Sequence, residues 1–199
     1  MEKPQFIAML KSDSLKREDQ ELLLHSVLQN QDRIEILFNC IRKVDDKKSV
    51  QAARILELLC KKHDLALITP YLENFHLSVA QIKMDAVIRS FAKIIELLTI
   101  EYFINKNTTF IQKLKTPYLE GFTESCFDWM ISDKAIAIKA HSMYALYLLG
   151  MKFDWIHPEL IQVIDKQLPM GSTGFKNRGK KILKAIQTKR LLKLQTQAT

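Results

Sequence analysis

Few side chains in this chain are spaced as the residues of a catalytic or metal centre would be. Cys60 and His63 have the i, i+3 spacing that zinc ligands often show. A structural zinc ion needs about four ligands, and no second Cys or His pair accompanies this one. Glycine-rich phosphate loops and metalloprotease or serine-hydrolase motifs are also absent from the sequence. The sequence therefore predicts no catalytic, cofactor or metal site.

Positive charge is concentrated at the C-terminal end. Lys and Arg number 30 against 22 Asp and Glu, a formal net charge of +8. Residues 166–199 hold nine basic residues and no acidic one, which leaves the rest of the chain near neutral. An anionic partner is therefore expected to bind at this end first. The candidate polyanion-binding residues are Lys176, Lys180, Lys181, Lys184, Lys189, Arg190 and Lys193.

The cysteines and the hydropathy pattern bear on the compartment. The three cysteines are Cys40, Cys60 and Cys126; they include no C-x-x-C pair and fall in apolar segments, so we expect reduced core residues. The longest stretch without a Lys, Arg, Asp or Glu is residues 140–151, shorter than the roughly 18 residues of a membrane span. The first ten residues lack the pattern of a secretory signal. We expect a cytoplasmic protein with no membrane partner.

The elements that position these residues are predicted to be helices. The chain has only five Gly and five Pro, too few turn residues for many short strands. Apolar residues recur with i, i+3, i+4, i+7 spacing almost throughout, as at Ile34, Leu37, Phe38, Ile41 and Val44. This pattern predicts an all-α fold.

A short motif recurs along the chain. Residues 69–75 read TPYLENF and residues 116–122 read TPYLEGF, and residues 157–160 hold a weaker copy. Each copy precedes a polar turn and a second, usually more apolar helix, which is typical of helical repeats; the alternative is an irregular bundle with a chance duplicate. The predicted helix pairs are 33–43 with 48–61, 64–75 with 81–99, 117–131 with 135–150, and 158–168 with 173–187.

Three segments carry a family resemblance. Residues 122–161, residues 44–59 and the basic ending at 175–186 resemble a family of small bacterial HEAT/armadillo-like helical-repeat proteins, over roughly residues 30–187. The resemblance implies a right-handed α-α superhelix of about four HEAT-like helix pairs. We expect one domain over residues 1–199, with an N-terminal helical cap at 1–30, repeats at 31–187 and a frayed basic tail at 188–199.

Members of this family often carry the label adenylosuccinate lyase. Those enzymes use a flexible serine loop of the type GSS-x-M-P-x-K-x-N. Residues 170–178 here read MGSTGFKNR, which lacks the Met-Pro and brings Ser172 nearer to Lys176 than the pattern requires. We therefore expect Ser172 or Thr173 to cap a helix, and we expect no lyase activity.

In HEAT-like stacks the second helix of each pair lines the concave face. The polar residues expected there are Arg54, Arg89, Lys139, His141 and Arg178. They either contact a partner or pair with turn acids such as Asp46, Asp85 and Asp133 as a ladder between repeats. Two functions follow: a non-catalytic scaffold that binds a protein or peptide on the concave face, or a nucleic-acid or polyanion binder that uses the basic C-terminal helix.

Overall fold

A computed structural model describes residues 1–12, 15–43 and 46–197, with side chains described for all of these except residues 47 and 189–197. Within these ranges the chain forms eleven α-helices and one 3-10 helix and contains no strand. The helices are α1 (Lys3–Met9), α2 (Arg17–Gln29), α3 (Asp32–Ile41), α4 (Lys47–Lys62), the 3-10 helix (Leu65–Tyr71), α5 (Leu72–Val79), α6 (Asp85–Phe103), α7 (Thr108–Lys113), α8 (Thr116–Ile131), α9 (Ile136–Leu149), α10 (Ile156–Gln167) and α11 (Thr173–Gln197).

The helices pack as four successive pairs in two layers. The pairs are α3 with α4, α5 with α6, α8 with α9, and α10 with α11. The second helices contact one another in the order α4, α6, α9 and α11, and the first helices α3, α5 and α8 also contact one another in order. We call α4, α6, α9 and α11 the inner helices. Helix α2 packs against both helices of the first pair, and α1 packs against α2. The predicted all-α repeat fold is confirmed, while the division into cap, repeats and tail stays a prediction.

Polar side chains in the turns cap the N-termini of three helices. Asp46 accepts a hydrogen bond from the Lys48 amide at 3.0 Å, and Asp64 accepts one from the Ala66 amide at 2.8 Å. Asn107 caps α7 by accepting from the Thr109 amide at 3.1 Å. These caps satisfy backbone donors that have no partner inside the helix. Residues 44 and 45, between the predicted helices 33–43 and 48–61, lie outside the described ranges.

The segment 64–75 differs from its expected single helix. It is divided into the 3-10 helix and α5, with Pro70 inside the 3-10 helix. Proline has no backbone N–H, and its ring clashes with the carbonyl four residues earlier in an α-helix. That carbonyl, on Ala66, instead accepts the Thr69 hydroxyl at 2.8 Å. In the second copy Pro117 lies in the first turn of α8, where these costs do not arise.

The duplicated motif brings equivalent residues into contact. Phe75 and Phe122, the last residues of the two copies, are both fully buried, and their rings meet edge to face with centroids 5.6 Å apart. Gly121 stands where the first copy has Asn74, and the His76 ring lies over it. The same ring packs on Tyr118, at 5.1 Å between centroids. The motif therefore forms part of the contact between the first helices of the second and third pairs, α5 and α8.

The three cysteines are free and buried, as predicted. Burial raises the pKa of Cys126 to about 12 and also raises the pKa of Cys60. Burial also raises the pKa of Cys40. Thiols of this kind stay protonated at neutral pH and are poor nucleophiles and metal ligands.

The close contact at Gly121 gives a stability test. A Cβ at this position would lie 2.5 Å from Cε1 of His76, whose ring is held by its packing on Tyr118. We expect Gly121→Ala to lower the free energy of unfolding by about 1–3 kcal/mol, measured by urea denaturation.

Gly174→Ala is the matched control, because its Cβ would meet only Ser172 Oγ, at 4.0 Å. Removing a helical glycine there should leave stability unchanged or raise it by up to about 1 kcal/mol. Equal effects of the two substitutions would contradict the packing of His76 on Gly121.

Candidate binding surface

The inner helices carry a carboxylate inside the stack between the first and second pairs. Glu57 of α4 is buried, and its Oε1 lies 3.0 Å from Nη1 of Arg54. Its other oxygen accepts a hydrogen bond from the hydroxyl of Ser90 on α6, at 2.8 Å. The Arg54 side chain is therefore committed in part to a contact within the protein.

A second buried carboxylate joins three inner helices. Glu96 of α6 is only 4% exposed, and its Oε2 contacts Nδ1 of His141 on α9. Lys93 Nζ lies 3.4 Å from the same oxygen, and Arg178 Nη2 of α11 lies 3.8 Å from Oε1. Arg178 also donates to the Ala140 carbonyl at 2.8 Å. This cluster links the second, third and fourth pairs.

The surroundings of Glu96 keep it ionised. Burial alone would raise the pKa of this carboxyl, but the hydrogen bond and charge of His141, followed by the charges of Lys93 and Arg178, outweigh it. The pKa of Glu96 is therefore lower than that of an ordinary glutamate. A buried carboxylate is stable only with such compensation.

The remaining two inner-helix candidates differ in their contacts. Lys139 donates to Gln167 Oε1 at 3.0 Å, and Gln167 Nε2 donates to the Met130 carbonyl at 2.7 Å, which ties α8, α9 and α10 together. Arg89 is exposed. Thus four of the five predicted residues contact other parts of the chain, and Arg89 lies open to solvent.

Sequence reasoning missed Glu57 and Glu96. Their signal is a basic residue three positions before each acid, Arg54 and Lys93, repeated 39 residues apart on successive inner helices. Two of the three turn acids that were the expected partners pair elsewhere: Asp46 contacts Lys48 at 3.2 Å, and Asp85 contacts Lys134 at 2.7 Å.

A pocket of about 910 Å³ lies at the edge of the last two pairs. Its walls come from the end of α8, the start of α9, the second half of α10 and the start of α11. Three apolar side chains in it are open to solvent: Ile131 is 63% exposed, Ile136 is 50% exposed and Met170 is 92% exposed. Charged side chains surround them, namely Asp133, Lys134, Lys139, Glu159 and Lys166. We call this feature the edge pocket.

A smaller groove of about 490 Å³ lies between α9 and α11. Tyr144 and Tyr147 form one wall, with ring centroids 6.0 Å apart and near-parallel planes. The opposite wall is the face of α11 that carries Asn177, Arg178 and Lys181. The Arg178 guanidinium lies over the Tyr144 ring, 5.8 Å from its centroid. We call this feature the tyrosine groove.

The basic helix α11 docks on the stack through an apolar face. Phe175, Ile182 and Ile186 are buried, and Leu183 is partly buried against the core. On its other sides Lys180, Lys181 and Lys184 are exposed, whereas Lys176 is only half-exposed. The side chains of Lys189, Arg190 and Lys193 lie outside the described ones.

The serine loop serves the start of α11. The Phe175 amide donates to Ser172 Oγ at 3.3 Å, so this hydroxyl acts as a helix cap, in line with the sequence expectation. His63 is exposed while Cys60 is buried. Among the residues with described positions, no three His, Cys, Asp or Glu side chains come together as a metal site.

The Glu96 cluster predicts both a stability loss and a pH dependence. We expect Glu96→Gln to destabilise the fold by about 2–3 kcal/mol, because Lys93 and Arg178 lose their counter-charge; the value lies below that of a fully buried pair since both cations are partly exposed. The folded pKa of Glu96 is depressed, so its contribution is complete above the ordinary glutamate pKa and is lost as the pH falls through the folded value.

Urea denaturation over a range of pH measures this difference. Asp85→Asn is the control, since it removes a pair in which Asp85 is half-exposed, and should cost about 0–1 kcal/mol. A gap between wild type and Glu96→Gln that stays constant into acid would show that the Glu96 charge does not stabilise the fold.

Comparison with known proteins identifies the repeat. No curated protein and no solved structure matches the chain. No helix in the described ranges is both long and apolar enough to cross a bilayer. The model of the HEAT repeat domain family matches residues 7–186, which run from α1 into α11. The chain belongs to the HEAT repeat domain family.

Proposed function

We propose that this protein is a non-catalytic scaffold that binds a protein or peptide partner. HEAT repeat domains are typically scaffolds for protein interactions. The observation that carries the proposal here is the edge pocket, where Ile131, Ile136 and Met170 are exposed together within a charged rim. Solvent-exposed apolar side chains surrounded by polar ones are typical of protein-binding surfaces.

The concave-face residues remain part of this proposal. Lys139 lines the edge pocket and also belongs to the predicted concave set, so a partner anchored in the pocket reaches the inner helices through it. Arg54, His141 and Arg178 then act mainly through the contacts that align successive repeats, and the exposed Arg89 contacts the partner.

We further propose that the protein works in the bacterial cytoplasm. Support comes from its three free, buried cysteines, since reduced core thiols are typical of cytosolic proteins.

Site-specific photo-crosslinking in native cells tests the protein-binding function. A photoreactive phenylalanine derivative replaces Ile136 in the edge pocket, and the control carries it at Leu22, which is equally exposed on α2. We expect a discrete crosslinked protein from position 136 only, and we expect it to survive nuclease treatment.

Adding Met170→Glu to the position-136 protein should remove this product, because the charge would enter the apolar anchor site. Identical products from positions 22 and 136, or a product that disappears with nuclease, would overturn the scaffold proposal at this pocket.

A second candidate function is polyanion binding by the basic end. It is favoured by the exposed side chains of Lys180, Lys181 and Lys184 on a helix that has no acidic residue. Lysines arranged in this way bind phosphates without reading sequence.

Salt titration tests this candidate. Binding of labelled duplex DNA should weaken steeply between about 50 and 200 mM salt, with a log–log slope of about −0.9 per phosphate contact. The comparison protein has six basic residues of the C-terminal end changed to Gln: Lys180, Lys181, Lys184, Lys189, Arg190 and Lys193. Absence of binding at low salt would exclude this function, and equal binding by both proteins would place the contact elsewhere.

A further inference from the structure

The tyrosine groove combines aromatic rings with positive charge. Tyr147 packs in stacked geometry with Tyr144 and with His157, with ring centroids 6.0 and 5.8 Å apart. Tyr144 and Tyr147 are half-buried, so each ring is fixed by packing while part of it lines the groove. Rigid, partly open rings of this kind can stack a planar ligand with little loss of side-chain entropy.

The charge of the groove is positive. Its lining includes Arg178 and Lys181 and no acidic residue. Glu96 lies behind it and contacts Arg178, but Lys93 contacts the same carboxylate, so these two cations and one acid together remain positive. Lys180 and Lys184 extend the positive surface along the same helix. A ligand that fits here is anionic.

One continuous face of α11 forms a wall of the groove. The lining residues of α11 begin at Gly174 and recur three or four positions apart through Ala185, so they form a single strip along the helix. Asn177 is exposed on this strip and offers an amide that can hydrogen-bond a base edge. The two tyrosine rings, the cations of α11 and the Asn177 amide therefore all line the same groove.

We propose that the tyrosine groove binds single-stranded nucleic acid. Unpaired bases stack on the parts of Tyr144 and Tyr147 that line the groove, and Lys181 contacts the backbone phosphates. A cationic groove with aromatic platforms is the chemistry that proteins use for unpaired strands, because every base has a ring face to stack. A duplex keeps its bases stacked inside, so it can use the lysines but not the tyrosines. The proposal rests on polyanion binding by α11 and adds the site and the strand type.

Matched variants separate stacking from charge. The stacking variant is Tyr144→Leu with Tyr147→Leu, which keeps apolar bulk but removes both rings; its control is the corresponding double change to Phe, which keeps the rings. The charge variant is Lys181→Gln in the groove, and its control is Lys180→Gln, an equal change of charge outside the lining. Thermal unfolding of each protein shows that the fold is retained.

Fluorescence anisotropy at about 50 mM salt measures binding of labelled poly(dT), of a duplex of the same length, and of polyglutamate. We expect poly(dT) to bind more tightly than the duplex or polyglutamate. The leucine pair should weaken poly(dT) binding by at least about fivefold, the lower bound for losing one stacked base, while duplex binding stays unchanged. The phenylalanine pair should bind poly(dT) like the wild type, and Lys181→Gln should weaken it more than Lys180→Gln.

The outcomes distinguish this site from general polyanion binding. If poly(dT) and duplex bind equally and the leucine pair has no effect, the basic helix binds polyanions and the tyrosine groove does not stack bases. If neither nucleic acid binds, both proposals fail. If polyglutamate binds more tightly than poly(dT), the groove takes an acidic peptide, and the nucleic-acid assignment is overturned. If the leucine pair unfolds, Tyr147→Leu alone is compared with Tyr147→Phe by the same criterion.

Discussion

A pair of helices of this length cannot bury its own apolar surface, and the whole molecule follows from that constraint. Helix α6 shows it most clearly: it has buried residues on several sides and packs between α4 and α9. The edge-to-face contact of Phe75 with Phe122 shows the same dependence: each ring is buried against the equivalent residue of the neighbouring pair. Each pair is therefore stable only against its neighbours, and α2 packs on both helices of the first pair.

Close stacking of the inner helices also decides what their polar residues can do. A carboxylate between two packed helices must have partners, and Glu57 and Glu96 take theirs from neighbouring pairs. The cations that look like a binding surface are partly used for this purpose. The contacts of Glu57 and Glu96 therefore hold successive inner helices in alignment.

Surfaces suited to partners lie where the stack leaves side chains uncovered. Both the edge pocket and the tyrosine groove are built on α9 and α11, in the last two pairs. They differ in chemistry: the first exposes aliphatic side chains such as Ile131, and the second offers Tyr144 and Tyr147 beside cations. In the two functions proposed above, an apolar protein segment binds at the first surface and an anionic strand at the second.

The sequence alone determined the all-α class, the four pairs and the burial of the cysteines, because each depends on apolar periodicity and local turn residues. It also placed the helix cap at Ser172. Short helices such as α1 and α7 escaped it, since they hold too few residues to show a period. Only the tertiary structure decided which side chains meet across pairs: Glu96 reaches Arg178 over 82 residues of chain because α6, α9 and α11 stack in order, and no local pattern encodes that distance.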